Sequence, residues 1–342
     1  LASAAGILDP SATEIIAPRA ATYEELSLFH DKNYISAIED ISSGISSPQQ
    51  SLYGFGPGDN PAYPGIFEAQ TLAAGGTMVA QRLTTLGTNI VFAPAGGLHH
   101  AMPKRASGFC VFNDPVIAIK TFLRDAKRVL YVDIDCHHGD AVQYAFYNTP
   151  EVMTISLHES GQFLFPGTGF VGESGQGKGR GYSVNLPLAP YTDDGTYSMA
   201  FEAVVPPLIK SFKPDVLFTQ LGIDTHYRDP ITHLRLTTQG FTKTVSRLAE
   251  LSAQSASWIA TGGGGYDLSA VARGWSMALA VMVGADIPNE IPKEFQVLIG
   301  NTTFEDETPD PVEPALAQQM RAFAERSVED VYRVIFPHFG LR

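Results

Sequence analysis

Residues 128–140, which read RVLYVDIDCHHGD, limit the fold of this chain more than any other stretch. Continuous apolar and β-branched residues from Val129 to Ile134 predict a strand that is buried on both faces. Polar residues follow at once. Because side chains alternate along a strand, Asp133, Asp135 and His137 should project to one side. In an open α/β sheet, the carboxyl end of a central strand is the usual place for a functional site. The alternative is that these residues only cap the next helix.

Strand-like and helix-like segments alternate from residue 89 onward. Predicted strands cover residues 90–93, 129–134, 152–157, 182–188, 216–221 and 257–261, and predicted helices lie near 113–126, 140–148, 193–212, 237–255, 268–284 and 312–335. Such alternation is typical of an α/β fold with a central, mainly parallel sheet and helices on both faces. Because no Pro-, Gly- or Ser-rich linker divides the chain, we expect a single domain over residues 1–342.

The segments outside this alternation have simpler interpretations. Residues 1–42 read as helical and amphipathic, and Thr22 and Glu25 fit a capping box at a helix start. Residues 43–64 read as a loop, and residues 66–86 read as a helix closed by the glycine that follows. The Pro- and acid-rich residues 287–313 read as a surface connection before the last helix.

Composition argues against several classes of protein. The net charge of −13 disfavours direct binding to nucleic acid and leaves room for a cationic, lysine-bearing substrate. The two cysteines, Cys110 and Cys136, lie in apolar or site-like sequence and predict reduced thiols in a cytoplasmic protein. No apolar run reaches transmembrane length, so we expect no membrane partner. The sequence indicates no particular oligomeric state.

Further polar segments should meet residues 135–140 at one edge of the predicted sheet. These segments cover residues 95–100, 107–114, 158–169, 224–230 and 262–266. Asp135 and His137 can reach one cation, and Asp224 from another strand can close a third side of it. Two carboxylates and one imidazole suit Zn²⁺ with an open position, and Fe²⁺ or Co²⁺ would also fit. The alternative for Asp224 is a helix or turn cap.

The adjacent His99 and His100 indicate acid–base chemistry. Neighbouring residues do not easily share one metal geometry, but each imidazole can be held by its own carboxylate. Asp133 and Asp140 are the natural partners once a metal has taken Asp135. A carboxylate on Nδ1 fixes the tautomer and raises the basicity of the ring, as a general acid or base near neutral pH requires. The alternative is a pair of satisfied core histidines.

Tyr266 follows four glycines, which allow backbone and substrate to approach closely. A phenol opposite a metal could donate a hydrogen bond to a developing oxyanion. A phosphate-binding loop is the weaker interpretation, because the segment has neither GxGxxG spacing nor a Walker lysine. The alternating glycines of residues 175–181 precede a strand rather than a helix, so they favour a flexible loop over a phosphate site.

Six segments together resemble the zinc-dependent histone deacetylase family of the arginase–deacetylase superfamily, closest to the bacterial acetoin-utilisation-type members near class I. In order, they are 97–100 (GLHH), 107–114 (SGFCVFND), 133–140 (DIDCHHGD), 165–169 (FPGTG), 222–224 (GID) and 262–266 (GGGGY). The resemblance covers nearly all of residues 20–285, in the family's order and spacing. It implies the arginase–deacetylase fold and metal-dependent removal of acetyl groups from Nε-acetyl-lysine in proteins, with release of acetate.

The resemblance also implies a role for each matching residue. The zinc ligands are Asp135, His137 and Asp224. The catalytic residues are His99 paired with Asp133, His100 paired with Asp140, and Tyr266 as the oxyanion-stabilising phenol. The substrate-binding residues are Asp59 at the rim, Phe109 and Phe165 as channel walls, Gly108 through its carbonyl, and Gly264. One site for K⁺ or Na⁺ uses Asp133, Asp135, His137, Ser156 and Leu157, and a second uses backbone oxygens of Phe146, Thr149, Val152 and Tyr182.

The sequence departs from the family's pattern at three places. Leu98 stands where the family usually has tryptophan, and Ala141 replaces a common glycine. The family domain normally starts with an earlier strand and loop that carry an arginine beneath the site, so we expect its N-terminal part to be absent here. Two alternative functions are a silent acyl-lysine binding module and a deacetylase of small acylated amines such as acetylpolyamines. The latter is expected to carry an entrance-narrowing insertion, which the sequence lacks.

Overall fold

The structure, a computed structural model, describes residues 1–45 and 50–342. Its strands are β1 (Ile90–Ala93), β2 (Val129–Asp133), β3 (Val152–Glu159), β4 (Ser183–Leu188), β5 (Val216–Gln220) and β6 (Ser257–Thr261). Its helices are α1 (Tyr23–Leu26), α2 (Lys32–Ser42), α3 (Ile66–Thr85), α4 (Asp114–Arg124), α5 (Asp140–Phe146), α6 (Asp194–Phe212), α7 (Thr238–Ser252), α8 (Leu268–Val283), α9 (Lys293–Ile299) and α10 (Pro314–Val334). From β1 onward, every predicted strand and helix is present; β1 and β6 have the predicted ends, and the ends of the others are shifted.

The six strands form one parallel sheet in the order β1-β6-β5-β2-β3-β4. The α/β fold class predicted from the sequence is therefore confirmed. The register aligns Asp133 at the end of β2 with Gln220 of β5, and Gln220 with Thr261 of β6. Because the strands are parallel, the segments that leave β1, β2, β5 and β6 all emerge at one edge of the sheet.

The two faces of the sheet bury separate hydrophobic layers. Along β2, Leu130 and Val132 pack into the layer with helices α6, α7 and α10, and Val129 and Tyr131 pack into the opposite layer with α2, α3 and α4. This is the alternation that a strand covered on both faces requires. Each fully buried aliphatic side chain stabilises the fold by roughly 1.5–3 kcal/mol, so the strand that carries the site is firmly held.

Two predictions made outside the sheet are wrong in part. Residues 1–42 are helical only in α1 and α2, because prolines and a glycine interrupt the first eighteen residues, which form turns and extended chain. Thr22 and Glu25 do form the predicted capping box at α1. The predicted loop over residues 43–64 contains a short 3₁₀ helix at Gln50–Tyr53, and its residues 46–49 lie outside the described residues.

Residues 287–313 are more than a surface connection. They contain α9, and Ile291 and Phe304 are buried against Met277 of α8. The apolar residues of this segment are spaced irregularly among prolines and acids, so no helical or strand period marks them as core. None of the described helices combines the length and the hydropathy that a bilayer span needs.

A buried ion network ties this segment to the sheet edge. Asp306 lies 2.9 Å from the guanidinium of Arg273 and 2.8 Å from Nε2 of His226, and all three side chains are buried. Although burial opposes ionisation of Asp306, His226 and Arg273 lower the pKa of its carboxyl. The network fixes the turn that follows Asp224, because His226 is the second residue after it.

Candidate active site

Three predicted ligands converge where β2 and β5 end. Asp135 and His137 follow β2, Asp224 follows the neighbouring β5, and all three side chains are buried. One ligand atom from each lies within 4.8 Å of the other two. Nδ1 of His137 is 2.8 Å from Oδ2 of Asp224 and 3.2 Å from Oδ1 of Asp135. The set therefore directs one nitrogen and two carboxylates to a common point.

The electrostatics of this cluster suit a divalent cation. Burial raises the pKa of Asp224, and the adjacent Asp135 carboxylate raises it further, because two anions are crowded away from water. A bound cation would remove that repulsion. One imidazole and two carboxylates form a donor set that accepts Zn²⁺, Fe²⁺ or Co²⁺. The residues present thus fit a metal.

The histidine pair lies beside the cluster, held by the two carboxylates that the sequence predicts. Nδ1 of His99 is 2.8 Å from Asp133 Oδ2, and Nδ1 of His100 is 2.7 Å from Asp140 Oδ1. These contacts turn both Nε2 atoms inward, where they lie 3.0 Å apart. The arrangement presents two imidazole nitrogens to one point, each oriented by its own acid.

The two imidazoles differ in their affinity for a proton. Burial opposes the charged form of His99, but the carboxylates of Asp133 and Asp135 raise its pKa to about 9. Burial lowers the pKa of His100 to about 4, and the neighbouring His99 contributes to the same shift. With a single proton shared by the pair, His99 holds it and His100 stays neutral.

Two further buried residues, which the sequence analysis missed, orient the carboxylates of Asp133 and Asp135. The hydroxyl of Tyr131 donates to Asp133 Oδ2 at 2.7 Å, and the side-chain amide of Gln220 donates to Asp135 Oδ2 at 2.7 Å. Tyr131 precedes Asp133 by two positions on the same strand, so its face is readable from the alternation. Gln220 reaches Asp135 through the register between β2 and β5, which no local pattern contains.

Asp114 holds the loop that carries the histidine pair. Its two carboxylate oxygens accept hydrogen bonds from the amides of Gly97 and Leu98, each at 2.9 Å, and from the Thr77 hydroxyl at 2.6 Å. Asn113 supports the same loop, because its side-chain amide donates to the carbonyls of His99 and Ala101. Asn113 and Asp114 belong to a segment that matches the family, but sequence alone gave them no role.

Replacing Asp114 with alanine should loosen this loop and lower both stability and turnover. The change leaves three buried donors without an acceptor, which should reduce the free energy of unfolding by ~2–3 kcal/mol. Displacement of the histidines should reduce turnover by roughly 10-fold or more. Urea unfolding and acetate release measure the two effects. Asp40→Ala, on the exposed face of α2, is the control, and an Asp114 variant that matches it in both assays would refute this role.

Tyr266 and two phenylalanines surround the opening above the cluster. The Tyr266 ring packs edge-on against Phe109 at 5.5 Å between centroids, and the Phe165 ring lies 5.1 Å from His100. Burial raises the pKa of the Tyr266 phenol, and the carboxylates of Asp135 and Asp224 raise it further. The hydroxyl therefore stays protonated and can act as a hydrogen-bond donor. Phe109 and Phe165 are 47% and 44% exposed, which leaves both rings free to contact a substrate.

Two glycines permit close approach at this opening. A side chain at Gly108 would begin 2.5 Å from the His100 ring and 3.0 Å from Phe165, so this position admits only glycine, and its φ is +51°. The amide of Gly264 donates to Asp135 Oδ2 at 2.7 Å. Gly108 and Gly264 therefore lie close against the site, while the contacts of the Gly108 carbonyl and of Gly264 with substrate stay predictions.

The remaining predicted residues have untested roles, and the second predicted cation site lies at the start of β3, away from the sheet edge that carries the cluster. Asp59 is exposed in a bend that follows the 3₁₀ helix Gln50–Tyr53. That helix is tied to the loop before Gly108, because the Tyr53 carbonyl accepts a hydrogen bond from the Ala106 amide. Ser156 pairs with Asp133 in the register of β2 and β3, and Leu157 follows it. Phe146 ends α5, Val152 begins β3, Thr149 lies between them, and the Tyr182 carbonyl accepts from the Thr154 amide on β3. Their binding of K⁺ or Na⁺ stays a prediction.

The family of this chain follows from its similarity to known proteins. The family model described as "Histone deacetylase domain" matches residues 2–282. The chain therefore belongs to the histone deacetylase family, and that membership supports deacetylase activity.

Among curated relatives, the chain is similar to bacterial acetoin utilization proteins. It is 43% identical to the acetoin utilization protein AcuC of Bacillus subtilis (strain 168), over 83% of this chain and 75% of the relative. It is 39% identical to AcuC of Staphylococcus aureus (strain MRSA252), over 83% of this chain and 74% of the relative.

Two solved structures share the fold. A crystal structure of an HDAC homolog complexed with SAHA has a TM-score of 0.84 and 32% sequence identity, covering 94% of this chain and 91% of the other. An HDAC homolog from Aquifex aeolicus has a TM-score of 0.83 and 32% identity, covering 95% of this chain and 91% of the other. The bacterial, acetoin-utilisation-type assignment within the family is thus confirmed.

Proposed function

We propose that this protein hydrolyses the acetyl amide of Nε-acetyl-lysine in proteins and releases acetate. The observation that carries the proposal is the convergence of Asp135, His137 and Asp224 beside a carboxylate-held histidine pair, opposite Tyr266. Zn²⁺ is the proposed ion, because a nitrogen and two oxygens with an open position suit it. When bound there, such an ion polarises the acetyl carbonyl and lowers the pKa of the attacking water.

The residues of this chain supply the remaining steps. Neutral His100 accepts the proton of the attacking water at Nε2, with Asp140 stabilising the charge that forms on the ring. Tyr266 donates a hydrogen bond to the oxyanion that develops as water adds to the carbonyl carbon. An imidazolium of the pair, with His99 as the proton-rich member, then protonates the lysine nitrogen. The carbon–nitrogen bond breaks, and acetate and free lysine leave.

The proposed partner is an acetylated protein or peptide. Phe109 and Phe165 are exposed beside Tyr266 and His100, and two such aromatic rings would suit the four-methylene stem of an acyl-lysine. Asp59 is proposed to hold the substrate backbone at the rim. The net charge of −13 supports the proposal of a cationic substrate and of no direct binding to nucleic acid. We propose a cytoplasmic location, since both cysteines are free thiols in the structure.

A competition assay tests the substrate class. The zinc-loaded protein is incubated with an acetyl-lysine peptide and acetylspermidine together. Mass spectrometry follows the formation of the deacetylated peptide and of spermidine. The proposal expects kcat/KM for the peptide to be higher. A higher kcat/KM for acetylspermidine would favour a small-amine deacetylase, and binding of the peptide without acetate release would favour a silent acyl-lysine binding module.

A further inference from the structure

The segment that carries Tyr266 has few means of holding its own position. Gly262 to Gly265 offer no side chains that could pack or hydrogen-bond. Within the described residues, the backbone of this run is tied at two glycines. The Gly262 amide donates to the Ala93 carbonyl at 3.2 Å, and the Gly262 carbonyl accepts from the Leu221 amide at 3.1 Å. The Gly264 amide donates to Asp135 Oδ2 at 2.7 Å, and the Gly264 carbonyl accepts from the Ile223 amide at 2.8 Å. The position of the phenol therefore depends on backbone contacts close to Tyr266 itself.

Asp229 supplies such a contact. One of its carboxylate oxygens accepts a hydrogen bond from the Tyr266 amide at 2.9 Å, and the other accepts from the Ile231 amide at 3.1 Å. The residue is 8% exposed, so water competes little for these oxygens. No step of the proposed hydrolysis uses Asp229.

Asp229 is itself held by the rest of the fold. Its amide donates to the His226 carbonyl at 2.9 Å, which closes a tight turn. The ring of His226 is bound to Asp306, and Asp306 is paired with Arg273 inside the protein. The turn is therefore anchored at one end by a buried ion network and presents a fixed carboxylate to Tyr266 at the other.

We propose that Asp229 is a positioning residue that fixes the Tyr266 backbone and so aims the phenol at the reacting carbonyl. The inference rests on the proposed function, in which Tyr266 stabilises the oxyanion. A carboxylate is suited to this place because it accepts from two amides at once. Asparagine offers one acceptor oxygen, and its NH₂ group would face the second amide as an unwanted donor.

A double-mutant cycle on the zinc-loaded protein tests this role. Asp229→Ala should lower kcat for an acetyl-lysine peptide by roughly 10-fold to 100-fold, because small displacements of a catalytic group are costly, and should change KM by about twofold at most. Asp229→Asn should fall between wild type and Asp229→Ala. In a Tyr266→Phe background, Asp229→Ala should cost about twofold or less, since the hydroxyl it positions is already gone.

Bound zinc and the melting temperature are measured for every variant. Zinc content should remain one ion per chain, as in wild type. Asp193→Ala is the matched control, because Asp193 also accepts from a backbone amide (Thr196, 2.8 Å) but lies at the start of α6, and it should leave kcat unchanged. If Asp229→Ala does not fold, Asp229→Asn is taken through the same cycle.

The outcomes separate this inference from the proposed function. Equal fold-losses for the Asp229 variant in the wild-type and Tyr266→Phe backgrounds would overturn the positioning role and leave the proposed function intact. An Asp229 variant with wild-type kcat would do the same. Full activity of Tyr266→Phe alone would instead overturn the role of the phenol, and the positioning of that phenol would fall with it.

Discussion

Replacing His137 with alanine should abolish stoichiometric metal binding and lower turnover by roughly 10³-fold or more. His137 supplies the one nitrogen of the cluster, and its Nδ1 lies between the carboxylates of Asp135 and Asp224. Without it, two buried carboxylates remain but the only nitrogen ligand is gone, so the site should lose both metal affinity and ligand geometry. Metal content by mass spectrometry and acetate release from an acetyl-lysine peptide measure the effect.

The control for this variant is His338→Ala, an exposed histidine in the C-terminal 3₁₀ turn. It should keep wild-type metal content and turnover. Circular dichroism establishes that the His137 variant is folded before its activity is compared. A folded His137→Ala protein with wild-type turnover would rule out the metal role of the cluster.

Replacing Tyr266 with phenylalanine should lower kcat by roughly 10²–10³-fold, the usual effect of removing one oxyanion donor. The change deletes a hydroxyl and keeps the ring that packs on Phe109 at 5.5 Å. Substrate binding depends on Phe109 and Phe165 in this account, so KM should move little. Bound zinc should stay at one ion per chain, because the phenol is not one of the three ligands.

Steady-state kinetics on the acetyl-lysine peptide separate kcat from KM. Tyr144→Phe removes a hydroxyl from an exposed tyrosine on α5 (61% exposed) and should behave as wild type. The role of the phenol would be rejected if Tyr266→Phe lost no more activity than Tyr144→Phe.

The sheet and the place of the candidate metal site at the end of β2 could be predicted from the sequence because both follow from local patterns. A strand that is buried on both faces has a continuous apolar sequence, and here the polar residues Asp133, Asp135 and His137 indicate its carboxyl end. Asp133 and Asp140 are the acids that remain beside the predicted ligands, and the resemblance to the family implies which histidine each acid holds. Both contacts are present in the structure.

The supporting contacts could not be predicted because they depend on registers and turns that bring distant segments together. Gln220 reaches Asp135 only through the pairing of β2 with β5, and Asp229 reaches the Tyr266 amide only through a turn closed by His226. Two segments outside the sheet were predicted wrongly, because local composition does not show how they pack. Residues 1–42 read as helical, but prolines prevent a helix in the first part of that range, and the buried Phe304 lies in a segment whose composition is typical of a protein surface.

A metal titration tests the central claim most directly. The protein is stripped with a chelator, Zn²⁺ is returned stepwise, and acetate release from an acetyl-lysine peptide is measured against bound ion. The account predicts no measurable hydrolysis without metal and activity that rises in proportion to bound zinc, reaching its limit at one ion per chain. Full turnover in the metal-free protein would contradict it.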